Sequence, residues 1–166
     1  MKGLVVWITG LPSAGKSALA HRVWHKLCQE NHPACVLDGD AVRDVMHPTP
    51  GYDPASRDAF YATLGGLAAL LARQGLVVIV AATAHRRAYR DNARSMAPRF
   101  AEIYVNVPLE QCAQRDAKGL YAAARDGQPS HLPGIDVEYE APEAPDVVAL
   151  GGYDDEAVTK ILRVIH

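Results

Sequence analysis

The chain has little of several residue types whose abundance would mark a particular class of protein. It has only three cysteines in 166 residues, and they show neither CxxC spacing nor a neighbouring histidine array. They therefore indicate neither a disulfide framework nor a zinc site. No apolar run approaches the roughly 18 residues that a membrane-spanning helix needs. The first residues run directly into a strand pattern, so we expect no signal peptide, no membrane partner and a cytoplasmic location.

An excess of charge of one sign is also lacking. Lys and Arg total 17 and Asp and Glu total 19, which leaves a net charge of -2. This balance provides no overall attraction to a nucleic acid polymer or to an anionic membrane, so any anion must be bound by a local cluster. Hydrophobic residues make up 49% of the chain, which is enough for one core. We expect a single domain over residues 1–166.

Short apolar runs alternate with helical patterns along most of the chain. The pattern predicts strands at residues 3–9, 34–38, 76–83, 101–107 and 147–150. It predicts helices at residues 16–30, 55–74, 86–97, from 109 onward, and at 154–165. This alternation predicts an α/β fold in which a parallel sheet of about five strands is covered by helices on both faces. The proline-rich residues 44–54 are predicted to form a loop.

The alternation breaks down between about residues 116 and 145, where glycines and prolines are frequent. Only the run KGLYAAAR in this stretch has a helical pattern. A segment longer than about 15 residues without regular structure is typically a functional lid or a disordered stretch. Apolar anchors favour a lid over about residues 116–140. These anchors are Leu120, Tyr121, Leu132, Ile135 and Tyr139.

The most specific motif is GLPSAGKS at residues 10–17, which matches G-x-x-x-x-G-K-[ST] between a buried strand and a helix. Glycines let the backbone wrap around phosphate oxygens, and amide groups and the helix N-terminus provide positive potential. Lys16 is expected to reach the β and γ phosphates of ATP, and the Ser17 hydroxyl to ligate Mg²⁺. A simple glycine turn with an exposed lysine is disfavoured by the flanking strand and helix. The predicted ATP-binding residues here are Gly10, Ser13, Ala14, Gly15, Lys16, Ser17 and Ala18.

Two carboxylates follow the second predicted strand, in Asp38-Gly39-Asp40. Ligands of open parallel sheets bind beyond the carboxyl ends of the strands, so these side chains should face the same crevice as the phosphate loop. Such a pair can hold Mg²⁺ and accept a proton from an attacking hydroxyl. We predict Asp40 as the base and Ser17 with Asp40 as metal ligands. The alternative is that one aspartate caps the next helix.

The third predicted strand is followed by a basic helix. Arg86, Arg90 and Arg94 recur every fourth residue and share one helix face, which is typical of a solvated surface. Arg87 lies at the start of this helix near the strand end, so we predict that it contacts the acceptor, whereas Arg90 and Arg94 are predicted to be structural. His85 is predicted to have a surface role.

Several longer motifs together resemble the adenylylsulfate (APS) kinase family over nearly the whole chain. They are GLPSAGKSA, LDGDAVR, GYDPASRDAF, NVPLEQCAQRDAKGLYAAARDG and LPGIDVEYEAP, in that order. The resemblance implies a P-loop kinase three-layer sandwich with a mobile lid. It also implies an enzyme that uses MgATP to phosphorylate the ribose 3′-hydroxyl of adenosine 5′-phosphosulfate (APS), giving PAPS for sulfate assimilation. Small nucleotides, ATP and APS, are then the expected partners.

The resemblance also assigns roles to individual residues. It implies that Asp40, with Asp38 nearby, is the catalytic carboxylate, and that Lys118 is a lid lysine that contacts phosphate or sulfate. With Lys16, these residues form the predicted catalytic set. Arg115 is expected near the adenine of ATP. The residues expected to bind the acceptor are Asp38, Asp40, Arg43, Tyr52, Arg57, Phe60, Arg87, Lys118 and Leu132.

The departures from the family pattern cluster on the acceptor side. Phe60 stands where the family has Asn, Ala62 where it has Arg, and Ala84 where it has Ser. Leu132 replaces an aromatic residue of the lid, so one ring that would stack on the acceptor is missing, and Phe60 could replace it. Tyr52 replaces a Phe and keeps its ring.

These departures leave three functions open. The first is an APS kinase, the second is a kinase of the same fold with another small nucleotide acceptor, and the third is a nucleotide-binding module without catalysis. Retention of Lys16, Ser17, Asp40 and Lys118 argues against the third. The chain starts directly at the first strand, without the N-terminal arm that contributes to dimer contacts in many family members, so a homodimer is possible but not implied.

Overall fold

The computed structural model describes residues 3–127 and 130–166. The parts of the predicted single domain and lid that fall on residues 1, 2, 128 and 129 lie outside the described residues. The strands are β1 (Leu4–Thr9), β2 (Ala34–Asp38), β3 (Val77–Ala81), β4 (Phe100–Val105) and β5 (Val147–Ala149). The helices are α1 (Lys16–Gln29), α2 (Gly39–Val45), α3 (Pro54–Arg73), α4 (Arg87–Met96), α5 (Leu109–Arg115), α6 (Leu120–Arg125) and α7 (Asp155–Ile165).

The strands form one sheet in the order β2-β3-β1-β4-β5, and every pairing is parallel. Strand β1 lies at the centre, where Leu4 pairs with Val77 of β3 and Val5 with Phe100 of β4. All residues of β1 and β3 are buried, as expected for parallel strands that are covered on both faces. The predicted parallel sheet of five strands is confirmed.

Two apolar clusters fill the spaces on either side of the sheet. Alternate residues of β1 enter them, since Val6 and Ile8 belong to the first cluster and Val5 and Trp7 to the second. The first cluster contains buried residues of α1 and α7, and the second contains buried residues of α3 and α4. The alternation follows from the two-residue period of a strand. Helix, sheet and helix thus form the three layers that the sequence predicts.

The main difference from the predicted elements lies after β2. Residues 44 and 45, which were predicted to lie in a loop, belong to α2. This helix forms because Asp38 caps it, its carboxylate accepting a hydrogen bond from Asp40 N at 3.0 Å. Helix α3 begins in a similar way, with Asp53 as the cap and Pro54 in the first turn. Within the described residues, no helix combines the length and the apolar character needed to cross a membrane.

Candidate active site

The phosphate loop joins β1 to α1 at the carboxyl edge of the sheet. Its backbone is left-handed at Ser13 (φ 63°) and at Gly15 (φ 103°). A Cβ atom at Gly15 would lie 2.7 Å from Gly152 N, so only glycine fits there. In the part of the chain that the structure describes, the first turn of α1 contains no acidic residue. The loop and helix start therefore present amide groups to an anion without an acidic side chain of their own.

Lys16 opens α1 and its side chain folds back along the loop. The ammonium group donates hydrogen bonds to Gly10 O at 3.1 Å and to Leu11 O at 2.8 Å. Burial, followed by repulsion from the nearby Lys118, lowers the pKa of Lys16 to about 8. Phosphate oxygens beside this group would oppose both effects, so the site favours an anionic ligand.

Two carboxylates that follow β2 have different partners. Asp38 caps α2 and its other oxygen accepts a hydrogen bond from the Ser17 hydroxyl. Asp40, which lies in the first turn of α2, pairs with Lys118 from the α5–α6 connection. Asp38 reaches Ser17 because it lies at the strand end, whereas the helix directs Asp40 toward Lys118. The expectation that Ser17 and Asp40 ligate Mg²⁺ stays a prediction. Asp38 therefore caps α2 and contacts the first turn of α1 at the same time.

Two arginines and two rings from α2, the following loop and α3 form the acceptor cluster, which we define as Arg43, Tyr52, Arg57 and Phe60. The Arg43 and Arg57 side chains are largely buried, at 6% and 7% exposure. The Arg43 guanidinium carbon lies 3.9 Å from the centroid of the Phe60 ring and 4.5 Å from that of Tyr52. Burial lowers the pKa of Arg57 from its ordinary value, although an arginine still remains charged near neutral pH.

Short contacts join the predicted lid to both ends of the site. Tyr121 donates to Pro12 O of the phosphate loop at 2.7 Å, and burial raises the pKa of its hydroxyl. Arg57 donates to His131 O at 2.6 Å. Lys118 reaches Asp40, as described above. The segment between α5 and β5 therefore contacts the donor end, the carboxylates and the acceptor cluster together.

One cavity of about 1040 Å³ unites these groups. Most of the predicted site residues line it: Ser13, Gly15, Lys16, Ser17, Ala18, Asp38, Asp40, Arg43, Tyr52, Arg57, Phe60, Arg115, Lys118 and Leu132. Gly10 and Ala14 belong to the loop but do not line the cavity. Arg115 also approaches the loop, since its side chain donates to Ala14 O at 3.5 Å. The predicted site is thus brought together by the fold, apart from one arginine.

That arginine is Arg87, which is absent from the cavity lining among the described residues. Its side chain donates to Ala141 O at 2.9 Å and pairs with Glu143 at 3.3 Å. The prediction that it contacts the acceptor is not supported by this geometry, because the returning segment before β5 occupies its guanidinium. Arg87 instead ties α4 to that segment.

The other predictions around α4 concern Arg90, Arg94 and His85, and not all of them agree with the structure. The prediction that Arg90 is structural agrees with its contacts, but the expected solvated face is wrong at this position. Arg90 is 1% exposed and pairs with Glu102 at 2.9 Å, while Arg94 remains on the surface. His85 is also buried, at 3% exposure, so the predicted surface role is wrong. Burial, with the positive charge of Arg57 next, lowers the pKa of His85 to about 4.

Sequence reasoning missed the loop that follows β5. Leu150, Gly151, Gly152 and Tyr153 line the cavity, and Gly152 packs against Gly15. The sequence did contain a signal for this loop. Ligands bind beyond the carboxyl ends of parallel strands, and this rule applies to β5 as it does to β1 and β2. Position 152 requires glycine because the two backbones lie close together, and a Cβ there would lie 2.7 Å from Gly15 O.

Comparisons with known proteins agree with the geometry. The family model described as adenylylsulphate kinase matches residues 2–150. An adenylyl-sulfate kinase of Synechococcus sp. (strain JA-3-3Ab) is 44% identical over 89% of this chain and 84% of its own length. A second, from Gloeothece citriformis (strain PCC 7424), is 39% identical over 98% of this chain and 93% of its own length.

A solved structure shares the same arrangement. It is the Mycobacterium tuberculosis APS kinase CysC in complex with AMPPNP and APS, which superposes with a TM-score of 0.91 at 36% identity. The match covers 98% of this chain and 97% of that one. With the family model spanning most of the chain and relatives above 30% identity along nearly their full length, the chain belongs to the adenylylsulphate kinase family.

Proposed function

We propose that the protein transfers the γ-phosphoryl group of ATP to the ribose 3′-hydroxyl of APS, producing PAPS and ADP. One observation carries the proposal. A single cavity holds a phosphate loop, two aspartates and two buried arginines that have no carboxylate partner among the described residues. The loop suits the polyphosphate of ATP, and the arginines suit a second anionic nucleotide.

The donor end would bind ATP mainly through backbone groups and Lys16. The amides of residues 13–17 and the start of α1 would contact the phosphates. Arg115 and the loop after β5 line the same cavity and would lie beside the adenine. Lys16 would exchange its two loop carbonyl partners for phosphate oxygens, which keeps its charge against the cost of burial.

A magnesium ion fits the oxygen groups beside Lys16. The Ser17 hydroxyl contacts the Asp38 carboxylate directly, and Asp40 lines the same cavity. Hydroxyl and carboxylate oxygens are ligands that Mg²⁺ accepts, usually together with waters and phosphate oxygens. We therefore propose Ser17 as a direct ligand, with Asp38 and Asp40 holding its waters. Bound magnesium would neutralise charge on the β and γ phosphates.

Asp40 is the proposed general base. A carboxylate can accept the proton that leaves the 3′-hydroxyl as its oxygen attacks the γ-phosphorus atom. In the structure Asp40 is paired with Lys118, and both side chains are more than half exposed. Exposed ion pairs are worth at most about 1 kcal/mol. Lys118 can therefore leave Asp40 at little cost and contact the phosphate or sulfate of a bound nucleotide.

The acceptor cluster would hold APS. Arg43 and Arg57 would pair with its phosphosulfate group, and the half-exposed ring of Tyr52 would stack on its adenine. Leu132 of the lid lines the cavity with an aliphatic surface. We propose that about residues 116–140 close over both nucleotides, because water must be excluded to prevent hydrolysis of ATP. Protection of this segment from protease on nucleotide addition would support the closure.

A kinase with another small nucleotide acceptor is the second candidate. It is favoured by Phe60 and Leu132, which line the cavity where family members have a polar residue and an aromatic ring. A module without catalysis is disfavoured, because Lys16, Ser17, Asp40 and Lys118 all face one cavity.

The deciding experiment is an acceptor panel. The protein is incubated with MgATP and equal concentrations of APS, AMP, ADP and cytidine and guanosine 5′-nucleotides, and ADP release and product formation are measured. We expect APS to give the highest kcat/KM and PAPS as product. Background turnover with APS, together with normal ATP binding, would reject the proposal, and preferred turnover of another nucleotide would support the second candidate. Homodimer formation and a cytoplasmic location stay predictions, the former testable by analytical ultracentrifugation.

A further inference from the structure

Arg43 is held in the acceptor cluster in an unusual way. Its side chain is buried and lines the cavity. Within the described residues, no carboxylate lies within ion-pair distance of it. Its hydrogen bonds to the backbone are long ones, to Pro50 O at 3.4 Å and to Gly51 O at 3.3 Å, and its other polar neighbour is the Tyr61 hydroxyl. Hydrogen bonds of this length contribute little. Something other than a carboxylate must therefore hold the guanidinium in place.

The ring of Phe60 is the closest such group. The guanidinium carbon of Arg43 lies 3.9 Å from the ring centroid, well within the range of a cation–π interaction. Tyr52 provides a second ring at 4.5 Å, but it is half-exposed, whereas Phe60 is 2% exposed. Cation–π interactions are strongest where water is excluded. Of the two rings, Phe60 is thus the nearer and the more buried neighbour of Arg43.

Other aromatic residues fix the orientation of the Phe60 ring. It packs edge-on against Tyr61, with ring centroids 5.2 Å apart, and Tyr61 stacks on Tyr89 of α4 at 4.5 Å. The Tyr61 hydroxyl accepts a hydrogen bond from Ala84 N at 3.1 Å, beyond the end of β3. Neighbours on two sides therefore restrain the ring. Phe60 could replace the missing stacking ring only if Arg43, which lies against it, left a ring surface open to the acceptor's base, so that role stays a prediction.

We propose that Phe60 is a positioning residue, which holds the Arg43 guanidinium so that it can bind the anionic group of the acceptor. The proposal rests on the proposed function for the identity of that acceptor. A carboxylate in the place of Phe60 would neutralise Arg43 and compete with the ligand. An aromatic face orients the cation while leaving its charge and its N–H groups for the phosphosulfate.

The test compares steady-state constants for APS and for ATP in single and double variants. Phe60→Leu removes the ring, and we expect it to raise the KM for APS about tenfold, while kcat and the KM for ATP stay within about twofold. Phe60→Tyr keeps the ring, so its KM for APS should stay close to that of the wild-type protein. In an Arg43→Met background, which has no cation for the ring to hold, Phe60→Leu should add little further loss.

Leu64→Ala is the matched control. Leu64 is fully buried one turn further along α3, in the same apolar cluster as Phe60, and it does not line the cavity. Its truncation should lower the thermal stability without a selective rise in the KM for APS. Should Phe60→Leu not fold, Phe60→Met is measured in its place, since it also lacks the ring but fills more of the volume.

Three outcomes separate the two proposals. An unchanged KM for APS in the ring-free variant would overturn the positioning role, and so would losses that add fully in the double variant. A failure of the wild-type protein to use APS would reject the proposed function instead. In that case the same variants are tested with the acceptor that the panel identifies, and the positioning role stands only if the KM for that acceptor rises selectively.

Discussion

At the donor end of the cavity, the phosphate loop is one run of consecutive residues, 10–17, which leads into the start of α1. At the acceptor end, the groups are side chains that come from α2, the following loop and α3. A loop of fixed backbone geometry accepts few substitutions, whereas packed side chains can be exchanged if their neighbours change too. This difference agrees with the resemblance, in which the departures from the family pattern gather at the acceptor end.

The largest expected effect would test whether the two ends serve one reaction. Asp40→Asn should lower kcat with APS by about 10²–10⁴-fold, the usual contribution of a general base, while the Kd for ATP changes little. Steady-state assays measure kcat, and calorimetric titration measures the Kd for ATP. Asp44→Asn is the control, because Asp44 is an exposed residue of the same helix that does not line the cavity. Equal effects of the two variants would contradict a catalytic role for Asp40.

A second prediction concerns the buried ion pair between Arg90 and Glu102. Arg90→Met should destabilise the protein by about 3–5 kcal/mol, because it leaves the buried Glu102 carboxylate without its closest partner. Chemical denaturation measures this loss. Arg94→Met is the control, since Arg94 contacts the same carboxylate at 3.7 Å from the surface, and its removal should cost less than about 1 kcal/mol. Similar losses in both variants would show that burial of Arg90 is not what matters.

A third prediction sharpens the contrast between side-chain and backbone recognition. Arg57→Lys keeps the charge but loses the planar group that donates to His131 O and lies over the Tyr52 ring. We expect the KM for APS to rise at least about tenfold with the KM for ATP unchanged. Arg73→Lys, at the exposed end of the same helix, should have no effect on either constant. A rise in the KM for ATP instead would place Arg57 at the donor end.

The fourth prediction concerns the donor end and pH. The pKa of Lys16 is about 8 in the nucleotide-free protein, below its ordinary value, and phosphates should raise it. Binding of ATP above pH 8 therefore requires uptake of a proton, and the Kd should rise up to about tenfold per pH unit from there. Below pH 8 this dependence should vanish. Lys16→Arg, which stays charged, should show no such inflection near pH 8, and an identical profile in both proteins would contradict the assignment.

The sequence predicted the donor end more fully than the acceptor end. Residues 10–17 act locally, so their order along the chain already specifies a strand, a loop and a helix start. The acceptor cluster depends on which side chains meet across α2 and α3. Arg43 and Arg57 were named by resemblance, but the contact of Phe60 with Arg43 and that of Arg87 with Ala141 O were not foreseen. Pattern cannot distinguish a buried arginine from a surface one, as Arg90 and Arg94 illustrate.

The sequence by itself determined the parallel sheet, the phosphate loop and the chemistry of the donor, because strand and helix periods and a short motif are local properties of a chain. Only the tertiary structure decided that Asp38 contacts Ser17, that His85 is buried, and that the Phe60 ring lies against Arg43. These outcomes depend on the direction of side chains from separate elements. Packing across the sheet and its helices sets those directions, and such packing produces no periodic pattern in the sequence.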